Sequence, residues 1–169
     1  AINILYIFGS LGSIATLLLA PYLLRSFGNK ITFLFFIVVE IFAILGLGNT
    51  ALALLIPFLF VIHQAAESIL YFSLDISLEE QIKIERETGG KRGIFFTVQN
   101  VAWVFSPLAL TFLVNIENFS RVYFLSGLSL IIMFAVIAAF FKNNRSADTK
   151  SSHIILILES LRKGGDKMR

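Results

Sequence analysis

His63, Gln64 and Glu67 cluster within the largely apolar run from Ala51 to Leu74. His63 and Glu67 are four residues apart, which places them on one face of a helix. Both titrate, and a carboxyl beside an imidazole in a water-filled passage can relay protons. The same spacing also serves a plain structural pair, or lets the side chains snorkel with Gln64 toward a neighbour. A metal needs at least a third ligand that the stretch lacks. With no Cys and only two His in the chain, disulfides, thiolate metal sites and redox chemistry are excluded.

Two further groups of polar residues lie inside apolar runs. Glu40 sits in the middle of Ile37-Val38-Val39-Glu40-Ile41-Phe42. An ionised side chain at that depth costs about 2.5 to 3.5 kcal/mol on insertion scales, so Glu40 is expected to turn inward to a partner or to stay protonated. Gln99, Asn100 and Trp103 form a polar strip in a later run, with Gln99 and Trp103 again four apart. Packing against further helices of the parent protein and contact with a solute both fit that strip. Gly9 with Ser13, Gly12 with Thr16, and Ala102 with Ser106 are small-residue pairs of the kind that let membrane helices approach closely. Pro57 and Pro107 fall inside runs, where a missing amide kinks a helix, and both are candidate hinges.

The elements that must position these residues follow from hydropathy. Of 169 residues, 57% are hydrophobic and 18 are Phe, and the mean hydropathy is +0.84. Apolar runs near the length needed to cross about 30 Å of hydrocarbon occur five times, at 2–24, 31–47, 51–74, 94–114 and 122–141. The expected fold is an all-α polytopic membrane bundle, embedded in lipid, with a charged loop at 75–93. A polar tail at 142–169 is expected to carry a short amphipathic helix at about 153–163 that rests on the membrane. The net charge of +3 is spread over connections and tail, so no nucleic-acid surface is expected. No nucleophile and base pair, metal motif or phosphate loop is present, and neither enzymatic activity nor a cofactor is expected.

Of the 14 Lys and Arg residues, 13 fall on one side of an up-and-down bundle and Arg121 alone on the other. By the positive-inside rule the loop 75–93 and the tail are cytoplasmic, and residue 1 is outside. That placement leads to the expectation of one further span upstream of Ala1. The parent protein is expected in a prokaryotic cell membrane.

Ala20-Pro21-Tyr22-Leu23-Leu24-Arg25-Ser26-Phe27-Gly28-Asn29-Lys30 before a second span, and Glu85 to Gly93 leading into Asn100-Val101-Ala102-Trp103-Val104-Phe105-Ser106-Pro107, resemble the N-terminal half of major facilitator superfamily transporters. Gly28 and Lys30 keep that family's signature between its second and third helices, while Pro21, Arg25, Ser26 and Asn29 stand at its other marked positions. Ala102, Ser106 and Pro107 stand at the marked positions of its fifth-helix signature. The resemblance covers nearly the whole chain and implies that the five spans are the second to sixth helices of a six-helix half built from inverted three-helix repeats. It further implies a missing N-terminal helix, a missing C-terminal half, and a small solute carried by alternating access. On that resemblance the run holding His63, Gln64 and Glu67 lines the central cavity, which favours a proton or substrate pathway there.

Within such a half, Glu79, Glu80, Glu85 and Glu87 share one membrane face with Arg25, Lys30, Arg86 and Arg92, near Gly28. Pairing among them would form a cytoplasmic gate, and solvation of the same charges is the plainer alternative. A competing function is a membrane scaffold whose loop and tail bind a partner, since the charge is concentrated there.

Overall fold

The computed structural model describes residues 2–49, 54–81, 85–113 and 119–141, and these are helical almost throughout. In chain order the helices are α1 (Ile2–Phe27), α2 (Asn29–Leu47), α3 (Ile56–Gln81), α4 (Glu85–Leu113) and α5 (Ser120–Phe140). Each is long and apolar enough to cross a membrane, the make-up of a multi-pass integral membrane protein. In hydrocarbon only a helix satisfies its own backbone within one segment, so runs of this length and hydropathy have little other choice.

Two expectations change. The stretch 75–93 is not an open loop: α3 continues through Gln81 and α4 begins at Glu85. Leu78, Glu79, Glu80 and Gln81 are strong helix formers, so the helix runs past the end of its apolar segment. Gly89 and Gly90 each cost α4 about 1 kcal/mol relative to Ala without ending it. Pro57 is not a mid-helix hinge, because α3 starts at Ile56 and a first-turn proline lacks only an amide that would have no intrahelical partner. Pro21 and Pro107, by contrast, lie inside α1 and α4. The tail 142–169, with its expected helix at 153–163, lies outside the described residues.

α3 is the organising helix. It packs along α1 on one side and α2 on the other, α2 also packs on α5, and among the described residues α4 touches only α3 and α5, lightly. Phe33, Ile37, Leu70 and Ile137 from α2, α3 and α5 make the buried core, and the Phe33 and Phe141 rings stack at 6.4 Å. No residue of the α4 span is buried, and apolar side chains on all its sides, among them Ile94, Trp103, Phe105 and Phe112, are uncovered by protein.

Because lipid is as apolar as leucine, helices here associate through close fit rather than through escape from water. Glycines mark the close approaches. A Cβ at Gly12 would lie 3.1 Å from Val61 Cγ1, one at Gly46 would lie 2.8 Å from Leu59 Cδ1, and one at Gly48 would lie 2.6 Å from Tyr123 Cβ. Ser13 adds a hydrogen bond from α1 to α3, its hydroxyl donating to the Gln64 carbonyl at 2.9 Å.

The reversal between α1 and α2 is made by one residue. Gly28 has φ 84° and ψ 161°, a region that only glycine enters readily. Its amide donates to the Leu24 carbonyl at 2.9 Å, and its carbonyl accepts the Thr32 amide at 3.1 Å and the Thr32 hydroxyl at 2.9 Å.

Gly28→Ala is expected to cost about 1 to 3 kcal/mol through backbone strain, and Gly48→Ala a similar amount through overpacking against Tyr123. Gly89, with nothing within 4 Å of a new Cβ, should accept Ala without loss. Thermal unfolding in detergent micelles checks all three, and equal melting temperatures across the set would refute the close approaches.

Candidate functional site

Glu40 lies midway along α2, and its side chain is 5% exposed. The apolar residues around it leave no water to solvate a carboxylate, so the group needs a partner from a neighbouring helix. That partner is His63 of α3, whose Nδ1 is 2.5 Å from Glu40 Oε1. One proton between the two atoms serves either as a carboxyl O–H donating to the imidazole or as an imidazolium N–H donating to the carboxylate. Glu40 Oε2 is buried with no hydrogen-bond partner among the described residues. The two forms hold the same single proton and differ only in where it sits, and the second carboxyl oxygen is open to a further donor.

The spacing of His63 and Glu67 suggested that these two residues pair with each other. The structure instead gives His63 to Glu40, while Glu67 stays one turn farther along α3 within electrostatic reach of both His63 and Tyr71. Among the described residues Glu67 makes no hydrogen bond. Gln64 faces α1: its Cγ is 3.1 Å from a Cβ built on Gly9, and its carbonyl accepts the Ser13 and Ser68 hydroxyls, each at 2.9 Å. Gln64 thus sets the α1–α3 contact rather than joining the pair. Phe60 packs edge-on to Tyr6 at 5.1 Å and lies 6.5 Å from the His63 ring, closing the side toward α1.

Gln99, Asn100 and Trp103 are not brought to this site. They lie on α4, where Asn100 and Trp103 are exposed and Gln99 is partly covered, and their side chains make no hydrogen bond to the described residues.

At the end of the bundle where α1 meets α2, the charged residues behave differently from a simple cluster. Arg92 Nη2 donates to Glu79 Oε1 at 2.6 Å and lies 3.6 Å from Asp75 Oδ1, so it joins the start of α4 to the end of α3. Among the described residues Lys30 does not meet a carboxylate there: its ammonium donates to the Ala138 carbonyl at 2.8 Å, near the end of α5. Arg25 also interacts. The side chains of Glu80, Glu85, Arg86 and Glu87 lie outside what the structure describes.

One polar group escaped the sequence reading. Asn29, buried at the start of α2, donates through Nδ2 to the Ser73 carbonyl at 3.0 Å and to Ser77 Oγ at 2.8 Å. Ser77 donates in turn to the Ser73 carbonyl at 2.9 Å. The Ser73-x-x-x-Ser77 spacing was the available signal, hidden because both serines fall at the border of the charged stretch.

No family model matches the chain, and comparison with curated proteins and with solved structures gives no match.

Removing one member of a buried charged pair strands the other, at about 3 to 5 kcal/mol, whereas replacing both by apolar residues of similar volume is often neutral or stabilising. His63→Ala is expected to destabilise the protein strongly, while Glu40→Leu with His63→Leu should melt close to the wild type. Chemical unfolding in mixed micelles measures both, and a double variant as unstable as His63→Ala would show that the pair is not what those residues contribute.

Proposed function

We propose that this chain is part of a proton-coupled secondary transporter, one helical half that moves a small solute across the membrane by alternating access. The observation that carries the reading is the Glu40–His63 pair: two titratable groups joined between two membrane-length helices, Glu40 buried and His63 partly so, with the second Glu40 oxygen unpartnered among the described residues. A pair held for stability alone gains little over apolar residues, and intramembrane titratable residues commonly mark ion and proton pathways. Protonation changes the charge of the α2–α3 contact, which gives the bundle a reason to rearrange when a proton arrives.

The arrangement of helices supports the resemblance to the major facilitator superfamily. In an inverted three-helix repeat whose first helix lies upstream, α1 corresponds to α4 and α2 to α5. Pro21 and Pro107 then stand at the same distance from the ends of corresponding helices. The contact of α2 with α5 and the light contacts of α1 with α2 and of α4 with α5 fit that symmetry. On this reading the end bearing Arg25, Lys30 and Arg92 is cytoplasmic, and the Arg92–Glu79 pair belongs to the gate. The uncovered face of α4 with Gln99, Asn100 and Trp103 meets the remaining helices or the solute.

The test is solute-evoked proton movement. Liposomes holding the full-length protein and an internal pH-sensitive dye are presented in turn with mixed amino acids, mixed sugars and mixed organic acids. At least one mixture should evoke a pH change in the wild type that falls tenfold or more in Glu40→Gln. Silence with every mixture, or undiminished flux in Glu40→Gln, would reject the reading and leave the scaffold as the better account.

A further inference from the structure

Beyond His63, Glu67, Tyr71, Asp75 and Glu79 keep a four-residue rhythm along α3, and Glu80 alone of its titratable residues stands off that line. Residues four apart on a helix are neighbours, with Cβ atoms about 5 to 6 Å apart. Four residues make slightly more than one turn, so each step rises about 6 Å and rotates the strip by about 40°. The strip therefore climbs about 24 Å and winds part of the way around α3. Its two ends meet different helices, as that winding requires: His63 contacts Glu40 of α2, and Asp75 and Glu79 contact Arg92 of α4.

Cover by protein falls along the same line. The His63 side chain is 27% exposed, Asp75 is 54% and Glu79 is 60% exposed, and Tyr71 between them is exposed as well. Glu67 is near enough to His63 and to Tyr71 to act on both electrostatically. At the inner end lies Glu40, buried, with Oε2 unpartnered. α1 faces α3 through Tyr6, Gly9, Gly12 and Ser13, and of these only Tyr6 titrates, with the Phe60 ring packed between it and His63.

We propose that His63, Glu67, Tyr71, Asp75 and Glu79 form a proton-conducting strip joining the buried Glu40 to the end of the bundle that carries Arg92. The proposal rests on the proton-coupled reading above and specifies the route and the side from which the proton is loaded. Asp75 and Glu79, gathered around one guanidinium, take up the proton at the surface. Tyr71 accepts a proton on its hydroxyl oxygen while passing its own to Glu67, through a bridging water where a step is too long for direct contact. His63 has Nδ1 committed to Glu40, so Nε2 receives the proton from Glu67 and Nδ1 releases one to Glu40 Oε1. Each transfer breaks one O–H or N–H bond and makes another. The net change is one proton lost at the surface and one gained at Glu40.

The test follows Glu40 directly. After a rapid drop in pH, time-resolved infrared absorption of the full-length protein in lipid reports the protonated carboxyl band of Glu40, identified by its loss in Glu40→Gln. Tyr71→Phe keeps the ring and removes only the hydroxyl, and Glu67→Gln keeps the shape and removes the titration. In each variant the band should rise at least tenfold more slowly and reach the wild-type amplitude, with helical content unchanged by circular dichroism. A full-amplitude band rising at the wild-type rate in both variants overturns the strip while leaving the coupling reading intact. A wild-type protein with no Glu40 band at any pH overturns the coupling reading and the strip together.

Discussion

A carboxyl group in the middle of a membrane-length helix restricts where that helix can dock, and Glu40 imposes this restriction on α2. Its only described hydrogen-bonding partner is His63, and the remaining contacts between α2 and α3 fall into the same register. Moving down α2 from Gly46 through Glu40 to Asn29, the partners move up α3 from Leu59 through His63 to Ser73 and Ser77. A shift of either helix by one turn would separate Glu40 from the imidazole and Asn29 from its serines together. The apolar contacts at Phe33, Ile37 and Leu70 lie between these two polar fixtures. They tolerate small errors of register that the polar groups do not, because dispersion is weakly directional while a buried polar atom without a partner costs about 1 to 3 kcal/mol.

The bundle spends its few hydroxyl and amide groups at helix contacts. Ser13 reaches the Gln64 carbonyl and Asn29 reaches Ser73, so α3 receives a polar anchor from α1 on one side and from α2 on the other. Both anchors use carbonyl oxygens that already belong to a helix ladder, an arrangement open to a carbonyl because it has two lone pairs. Arg92, near the start of α4, joins it to α3, and no residue of the α4 span is buried among the described residues. α4 is the helix whose position depends least on this part of the protein.

Sequence reasoning was strongest where length and hydropathy decide the outcome. The five apolar runs could be read directly because a bilayer leaves few alternatives to a helix. The helix ends were harder: hydropathy marks where the apolar segment stops, while backbone propensity decides where the helix stops, and between Asp75 and Gln81 the two disagree. The partner of His63 was not legible, since the four-residue spacing to Glu67 is visible in the chain and the approach of Glu40 is not. That approach depends on the register of two helices, which glycines such as Gly46 set by permitting a backbone to come within reach of Leu59. Asn29 was missed for the same reason, its serines lying more than forty positions away.

The hydrogen bond from Lys30 to the Ala138 carbonyl links the second helix to the last turn of the fifth. A chain is made in order, so the ammonium of Lys30 is in place long before its acceptor exists. Until α5 arrives, that charge must be held by water or lipid phosphate at the membrane surface. The docking of α5 on α2 is therefore an assembly step with a built-in delay, and the lysine takes part in it. A protein cut short before α5 would keep its spans and its buried acid, yet would leave α2 with an unclosed flank and a basic group still waiting at its start.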